Sequence, residues 1–336
     1  MYEIELLKKM MAIPSVTGCE NAMADFIAGE LEDCSEVWCE EVCGRKNVIA
    51  KKGSGKILLL GHTDTVPMGE NWMHAQGQIS DTRLYGRGAT DMKSGLAAMM
   101  AAFRKTECDA ILAATVGEET DGCGSKEFNK THRCEFGIVA EPTSLNLVIA
   151  EKGIIDFHLT TRGTSAHSSR PWEGENAIHT MAEAIRKISK MQFEPRNDLL
   201  GSSTIQVTIV EGGVAHNVIP DKCVATVNMR LIPEDAHLFE YVRSELSEYE
   251  IEKFHERPPY CIERNNEYVQ MLHRISGGVF CGMHGATDAS LIDTPCVIFG
   301  PGDLSLAHKI DEYVELSEVT RATHIFSEFL IKARDL

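Results

Sequence analysis

Four apolar residues, Ile57-Leu58-Leu59-Leu60, run without a polar break into Gly61-His62-Thr63-Asp64-Thr65-Val66-Pro67. A short apolar run that stops at a turn reads as a strand buried on both faces, as in a parallel sheet covered by helices. Ligands of such sheets gather beyond the carboxyl ends of the strands. His62 and Asp64 stand at that end, and their spacing of two lets both side chains reach one locus. A neutral imidazole is a metal ligand, and a neighbouring carboxylate can fix its tautomer. Alone, a His-x-Asp pair reads equally well as a hydrogen-bonded turn, so the rest of the chain has to decide.

The surrounding pattern agrees with a helix-covered sheet. Leu6, Leu7, Met10 and Met11 have helical spacing, and a second helix is expected over 21–31. Strands are expected near 47–51, 56–60, 110–116 and 136–140. Between them a helix over about 92–103 puts Leu96, Met99, Met100 and Phe103 on one face. The alternation predicts an α/β fold: a mixed, mostly parallel sheet with helices on both faces. After Glu151 the pattern changes. Residues 154–160, 204–210 and 223–231 alternate apolar with polar, as half-exposed antiparallel strands do. With helices expected over 177–191 and 236–247 and a strand near 250–255, the order is βαββαβ, the ferredoxin-like split βαβ unit. Residues 153–256 are therefore expected as an inserted α+β domain. The host domain is 1–152 and 257–336, completed by a helix over 267–275, a buried strand over 295–299 and a terminal helix over 318–333.

Composition narrows the function. The 336 residues suit two domains. A net charge of −17 argues against nucleic acid and against anionic membrane surfaces. No apolar run approaches membrane-spanning length, and Met1-Tyr2-Glu3-Ile4-Glu5 does not open a signal peptide. The 11 cysteines contain no C-x-x-C pair and fit a reducing compartment. A cytoplasmic protein is expected.

Four more segments place acids or a histidine at expected strand or helix ends. Gly88-Ala89-Thr90-Asp91 precedes a helix, where Asp91 also reads as an N-cap. Val116-Gly117-Glu118-Glu119 ends one strand with two acids, and Val139-Ala140-Glu141-Pro142 ends the next. Gly300-Pro301-Gly302-Asp303, with His308 beyond it, forms a late loop. All fall on the carboxyl edge of one expected sheet. His62, Asp91, Glu119, Glu141 and His308 make two imidazoles and three carboxylates, a set suited to zinc and similar divalent ions. Five protein ligands exceed one tetrahedral ion with an open position. They suit two ions about 3.5–4 Å apart that share a carboxylate. Glu118 is then left over to move protons.

On these motifs and in this order, nearly the whole chain resembles the dinuclear-zinc deacylase family that contains acetylornithine deacetylase, succinyl-diaminopimelate desuccinylase, aminoacylases and related peptidases. The resemblance implies that Asp91 bridges two zinc ions, that Glu119 and His308 complete one metal site, and that His62 and Glu141 complete the other. Cobalt and manganese are alternatives to zinc. It implies Glu118 as general base, Asp64 as the residue behind His62, and a cis peptide between Asp91 and Met92. In the insert, Gly163-Thr164-Ser165-Ala166-His167-Ser168-Ser169 resembles a lid motif whose histidine, His167, serves a partner subunit's active site. The insert is thus expected to carry a homodimer. Asn217 and Arg230 resemble substrate-holding residues, and Gly285-Ala286-Thr287-Asp288 resembles a loop near the substrate. The implied reaction is hydrolysis of a small N-acyl amino acid. A di-/tripeptidase or carboxypeptidase with the same metals stays open. A non-catalytic dimeric binding protein fits poorly, because every ligand and Glu118 are present.

Overall fold

In the computed structural model, which describes residues 1–336, Ile57–His62 lies in the middle of a mixed sheet. Seven of its strands run in the order Glu36–Val42, Arg45–Lys52, Ala110–Thr115, Ile57–His62, Phe136–Val139, Cys296–Ile298 and Leu147–Glu151. Ile57–His62 pairs in parallel with Ala110–Thr115 and Phe136–Val139, and Cys296–Ile298 pairs in parallel with Phe136–Val139. The flanking pairings are antiparallel. The parallel character expected of the sheet therefore belongs to its four central strands. The edge differs because Glu36–Val42 and Arg45–Lys52 are joined by the two-residue turn Cys43-Gly44, with φ of 52° and 76°. A turn that short can only return the chain antiparallel.

The four parallel strands put their carboxyl ends on one edge. His62 and Asp64, Glu118 and Glu119, Glu141, and the loop to His308 all leave the sheet there. Ile57 and Leu59 join one apolar cluster, while Leu58 and Leu60, one residue out of phase, point to the opposite face. All four are buried, which is why the run shows no polar alternation. The cluster also holds Leu6, Leu7, Met10 and Met11 of the helix Tyr2–Met11 and Met23 and Ile27 of Asn21–Leu31. The helix Ser94–Lys105 packs against Tyr2–Met11 and against the terminal helix Leu316–Ala333. Gly95 makes the approach of that helix possible. A Cβ there would collide with the Ala140 carbonyl, the residue before Glu141.

Several elements escape sequence reading. The helix starts at Ser94 and not near 92, because Ala89–Lys93 forms a wide turn in which Asp91 (φ −120°, ψ 97°) and Met92 (φ −130°, ψ 32°) leave helical geometry. The Asp91–Met92 peptide is cis. The helix Cys123–Thr131 and the strands Glu36–Val42 and Leu147–Glu151 were not anticipated. Nor was a small sheet of Ile79–Ser80, Arg83–Tyr85 and Tyr313–Glu315, whose strands are too short to show a period.

Two compact units divide the chain: Met1–Ile149 with Ile262–Cys281 and Thr287–Leu336, and Ala150–Cys261 with Gly282–Ala286. The second unit thus reaches past 153–256 at both ends and adds a short later segment. Its sheet is antiparallel, ordered Thr204–Gly212, Lys222–Leu231, Gly153–Arg162, Glu250–Arg257. One face is covered by helices. Ala177, Met181, Ala184 and Ile188 of the helix Ala177–Ile188 pack with Ile155, Phe157, Leu159, Ala225, Val227 and Met229. Asn176 caps that helix, its side chain accepting from the amides of Ile178 and His179.

Candidate metal centre

The turn after Ile57–His62 sets the first ligand. His62 is buried, and its Nδ1 lies 2.9 Å from the Asp64 backbone carbonyl. A carbonyl only accepts, so Nδ1 carries a proton and Nε2 is the ring nitrogen available to a metal. Nε2 faces Asp91 Oδ1 at 3.2 Å and Glu141 Oε1 at 3.8 Å. Asp64 stands behind His62, as expected, but the hydrogen bond that fixes the tautomer goes to its backbone carbonyl, with its carboxylate Oδ1 farther from Nδ1 at 3.6 Å. The carboxylate also has partners of its own. Its Oδ1 accepts from the Glu118 amide (3.1 Å), and its Oδ2 accepts from the Glu119 amide (3.2 Å) and the Thr17 hydroxyl (2.8 Å). Asp64 therefore pins the double-acid turn from behind. Gly117 starts that turn at φ 79°, with the Arg45 guanidinium and Cys123 in the space a Cβ would need.

Asp91 is the shared member of two ligand groups, His62–Asp91–Glu141 and Asp91–Glu119–His308. Within each group the ligand atoms lie within 4.8 Å of one another. His308 Nε2 stands 3.1 Å from the Glu119 carboxylate and 3.5 Å from Asp91 Oδ2. All five expected ligands are brought together, with Glu118 adjoining through its neighbour Glu119. Two neutral-capable imidazoles and three carboxylates suit two borderline divalent ions, with Asp91 common to both.

The electrostatics ask for positive charge. Burial opposes a charged His62, yet the bond to Asp91 and the charges of Glu141, Asp64 and Glu118 outweigh it and hold the ring well above its usual 6.5. Burial, joined by the charges of Asp91, Glu118 and Asp288 and opposed by His62, pushes Glu141 well above the ordinary carboxylate range. Without a cation the site keeps protons that a metal must displace. Metal binding near neutral pH should therefore release protons, and affinity should fall as pH falls. Calorimetric titration in two buffers of different ionisation enthalpy measures this; binding without proton release would contradict the charge assignment.

The remaining candidates lie in different surroundings. Thr287 and Asp288 were expected beside the substrate, yet both are buried. Thr287 accepts from the Ala289 amide, and Asp288 Oδ2 accepts from Ser125 Oγ (2.6 Å) and Thr115 Oγ1 (3.3 Å). Asp288 bears on the site through its charge on Glu141. His167, Asn217 and Arg230 belong to the second unit. His167 is exposed, and its Nδ1 accepts from the Ser169 amide (3.1 Å), which leaves Nε2 as a donor. Asn217 is exposed. Arg230 donates from Nε to Asn228 Oδ1 (3.3 Å), and Asn228 donates to Asp156 (2.6 Å), whose other oxygen meets His255 Nδ1 (2.9 Å). Thr17, Ser125, Arg45, Arg87 and Glu312 received no role from the sequence, because their partners lie far along the chain.

The sequence pattern of peptidase family M20/M25/M40 matches residues 58–332. The chain belongs to that family. Within it, the chain is 28% identical to an acetylornithine deacetylase from Proteus mirabilis, over 97% of this chain and 95% of the relative. It is 27% identical to a succinyl-diaminopimelate desuccinylase from Ehrlichia canis, over 97% of each. In fold it resembles the aminopeptidase PepT of Bacillus cereus, with a TM-score of 0.83 and 21% identity over 99% of this chain and 98% of that one. Membership makes the protein a metal-dependent hydrolase of the M20 kind, consistent with the ligand groups around Asp91. No helix is long and apolar enough to cross a membrane.

Proposed function

We propose that the protein hydrolyses the amide of an N-acyl amino acid. One observation carries the reading: two ligand groups share Asp91, while Asp64 holds the spare acid Glu118 beside them. His62, Asp91 and Glu141 would hold one divalent ion, and Asp91, Glu119 and His308 the other, with zinc the best match to the donor set. Such ions polarise a carbonyl and lower the pKa of water. Glu118 accepts the proton of the attacking water and returns it to the departing amine. Its pinned backbone sets where the carboxylate can reach. Arg230 is a fork donor suited to a substrate carboxylate, and the Asn228–Asp156–His255 chain supports its orientation. The deacylase reading, over a peptidase, is supported by the deacetylase and desuccinylase among the relatives of nearly full length. The acidic balance of the chain suits a cationic side chain such as ornithine.

The test is a panel of N-acetylornithine, N-acetyl-lysine, N-succinyl-diaminopimelate, dipeptides and tripeptides with zinc or cobalt, read by amine release alongside metal analysis. Two ions per chain and higher kcat/KM on acyl amino acids are expected. Faster turnover of peptides would turn the reading to a di-/tripeptidase or carboxypeptidase. One tight ion per chain would sink the two-metal reading.

His167 is assigned to the active site of a second copy, with the second unit as the dimer contact. Its free Nε2 donor supports a role at a developing oxyanion, which is worth roughly 10²–10³ in kcat. His167→Ala should lower kcat and leave metal content unchanged. Mixed with Glu118→Gln under proven subunit exchange, it should recover activity, because one site of the hybrid then has an intact Glu118 and an intact His167. Activity that stays at the level of the parents would exclude action in trans.

A further inference from the structure

We propose that Arg87 and Glu312 are positioning residues that set the spacing between Asp91 and His308, and thereby the affinity for the second ion; this rests on the two-metal reading above. Both side chains are buried, Arg87 at 8% exposure and Glu312 at 1%. Glu312 Oε1 accepts from the amides of Thr90 (2.9 Å) and Asp91 (3.1 Å), so it fixes the peptide that carries the shared ligand. Glu312 Oε2 accepts from Arg87 Nη1 at 2.7 Å. Arg87 Nη2 then donates to the His308 carbonyl and to the Met68 carbonyl, each at 3.3 Å. The indole of Trp72 lies against the guanidinium, 5.4 Å away.

A continuous polar path thus joins the main chain of one ligand to the main chain of another. It runs from the Asp91 amide through Glu312 and Arg87 to the His308 carbonyl. Both ligands belong to the group completed by Glu119, in which His308 Nε2 and Asp91 Oδ2 stand 3.5 Å apart. His308 needs this restraint more than the other ligands. Its side chain is half exposed, and its backbone has φ of 63°, a left-handed conformation that few side chains favour. His62 and Glu141, by contrast, leave buried strands directly. A buried ion pair is weak evidence for stability, but its ends here fix a geometry.

The residue types are specific to this task. Glu312 meets donors on both oxygens, two amides on one and a guanidinium on the other. In Glu312→Gln the NH₂ group faces either the amides or Arg87, donor against donor in both orientations. In Arg87→Lys the charge stays, but an ammonium lacks the planar fork that serves a carboxylate with one nitrogen and two carbonyls with the other.

The experiment compares full-length wild type, Glu312→Gln and Arg87→Lys by calorimetric titration with cobalt(II), by visible spectra of each added equivalent, and by thermal unfolding of the metal-free proteins. Both variants should bind one cobalt equivalent about 10–100-fold less tightly, the range for residues that orient metal ligands. The spectrum of that equivalent should change, and the other should be affected less. Variants that fold and bind both ions with wild-type affinity and spectra would overturn the proposal and leave the two-metal reading standing. A wild type that binds one cobalt would remove that reading and the proposal with it. Arg87→Lys carries the test if Glu312→Gln does not fold. If neither variant folds, the pair is a folding element and the proposal falls.

Discussion

Glu118→Gln should keep the fold and both ions and lose about 10²–10⁴ in kcat, the usual contribution of a positioned general base. That loss corresponds to about 2.7–5.4 kcal/mol of barrier. Gln matches Glu in shape, and the bond from the backbone amide of this residue to Asp64 is left untouched by the substitution. What disappears is the ability to accept and return a proton. One side effect is expected. The Glu118 charge helps raise both His62 and Glu141, so removing it should ease protonation at Glu141 less and alter metal affinity slightly. Metal content and kcat measured on the same preparation separate these effects. A variant with full metal and near wild-type turnover would mean that another group moves the proton.

Asp91→Asn should be more damaging still, because this carboxylate belongs to both ligand groups. Neutralising it removes the one anion common to the two sites and the negative charge facing His62 Nε2. The loss in metal affinity should exceed the roughly 10–100-fold seen when only a residue behind the ligands is changed. Activity should fall with metal occupancy and recover only partly at high zinc. The backbone should stay in place, since the Asp91 amide still donates to Glu312. Metal titration followed by activity at saturating zinc measures both parts. Retention of two ions at wild-type affinity would show that Asp91 does not bridge, and would leave Glu119–His308 and His62–Glu141 as independent sites.

Much of the site was legible from local chemistry. A run such as Ile57–Leu60, apolar on every residue, can be satisfied only by burial on both faces, and its abrupt end at Gly61 places His62 at a strand end. The same reasoning reaches Glu119 and Glu141, because the strands before them are also buried and largely apolar. Asp91 and His308 needed the whole set of motifs, since each alone reads as a cap or a loop residue. Short or edge elements did not show. Three-residue strands such as Tyr313–Glu315 have no period to detect, and Cys123–Thr131 carries few apolar residues.

What lay in the sequence by itself was the inventory of candidate ligands, read from the motifs together, and the parallel centre of the sheet, read from apolar runs of a few residues. The tertiary structure alone decided how those ligands are held. Asp64 binds the Glu118 and Glu119 amides across 54 and 55 residues, and Glu312 binds the Asp91 amide across 221. A backbone amide is the same donor in every residue, so no side-chain pattern announces which carboxylate will find it. Only the folded chain, which must pair buried polar groups, makes that choice.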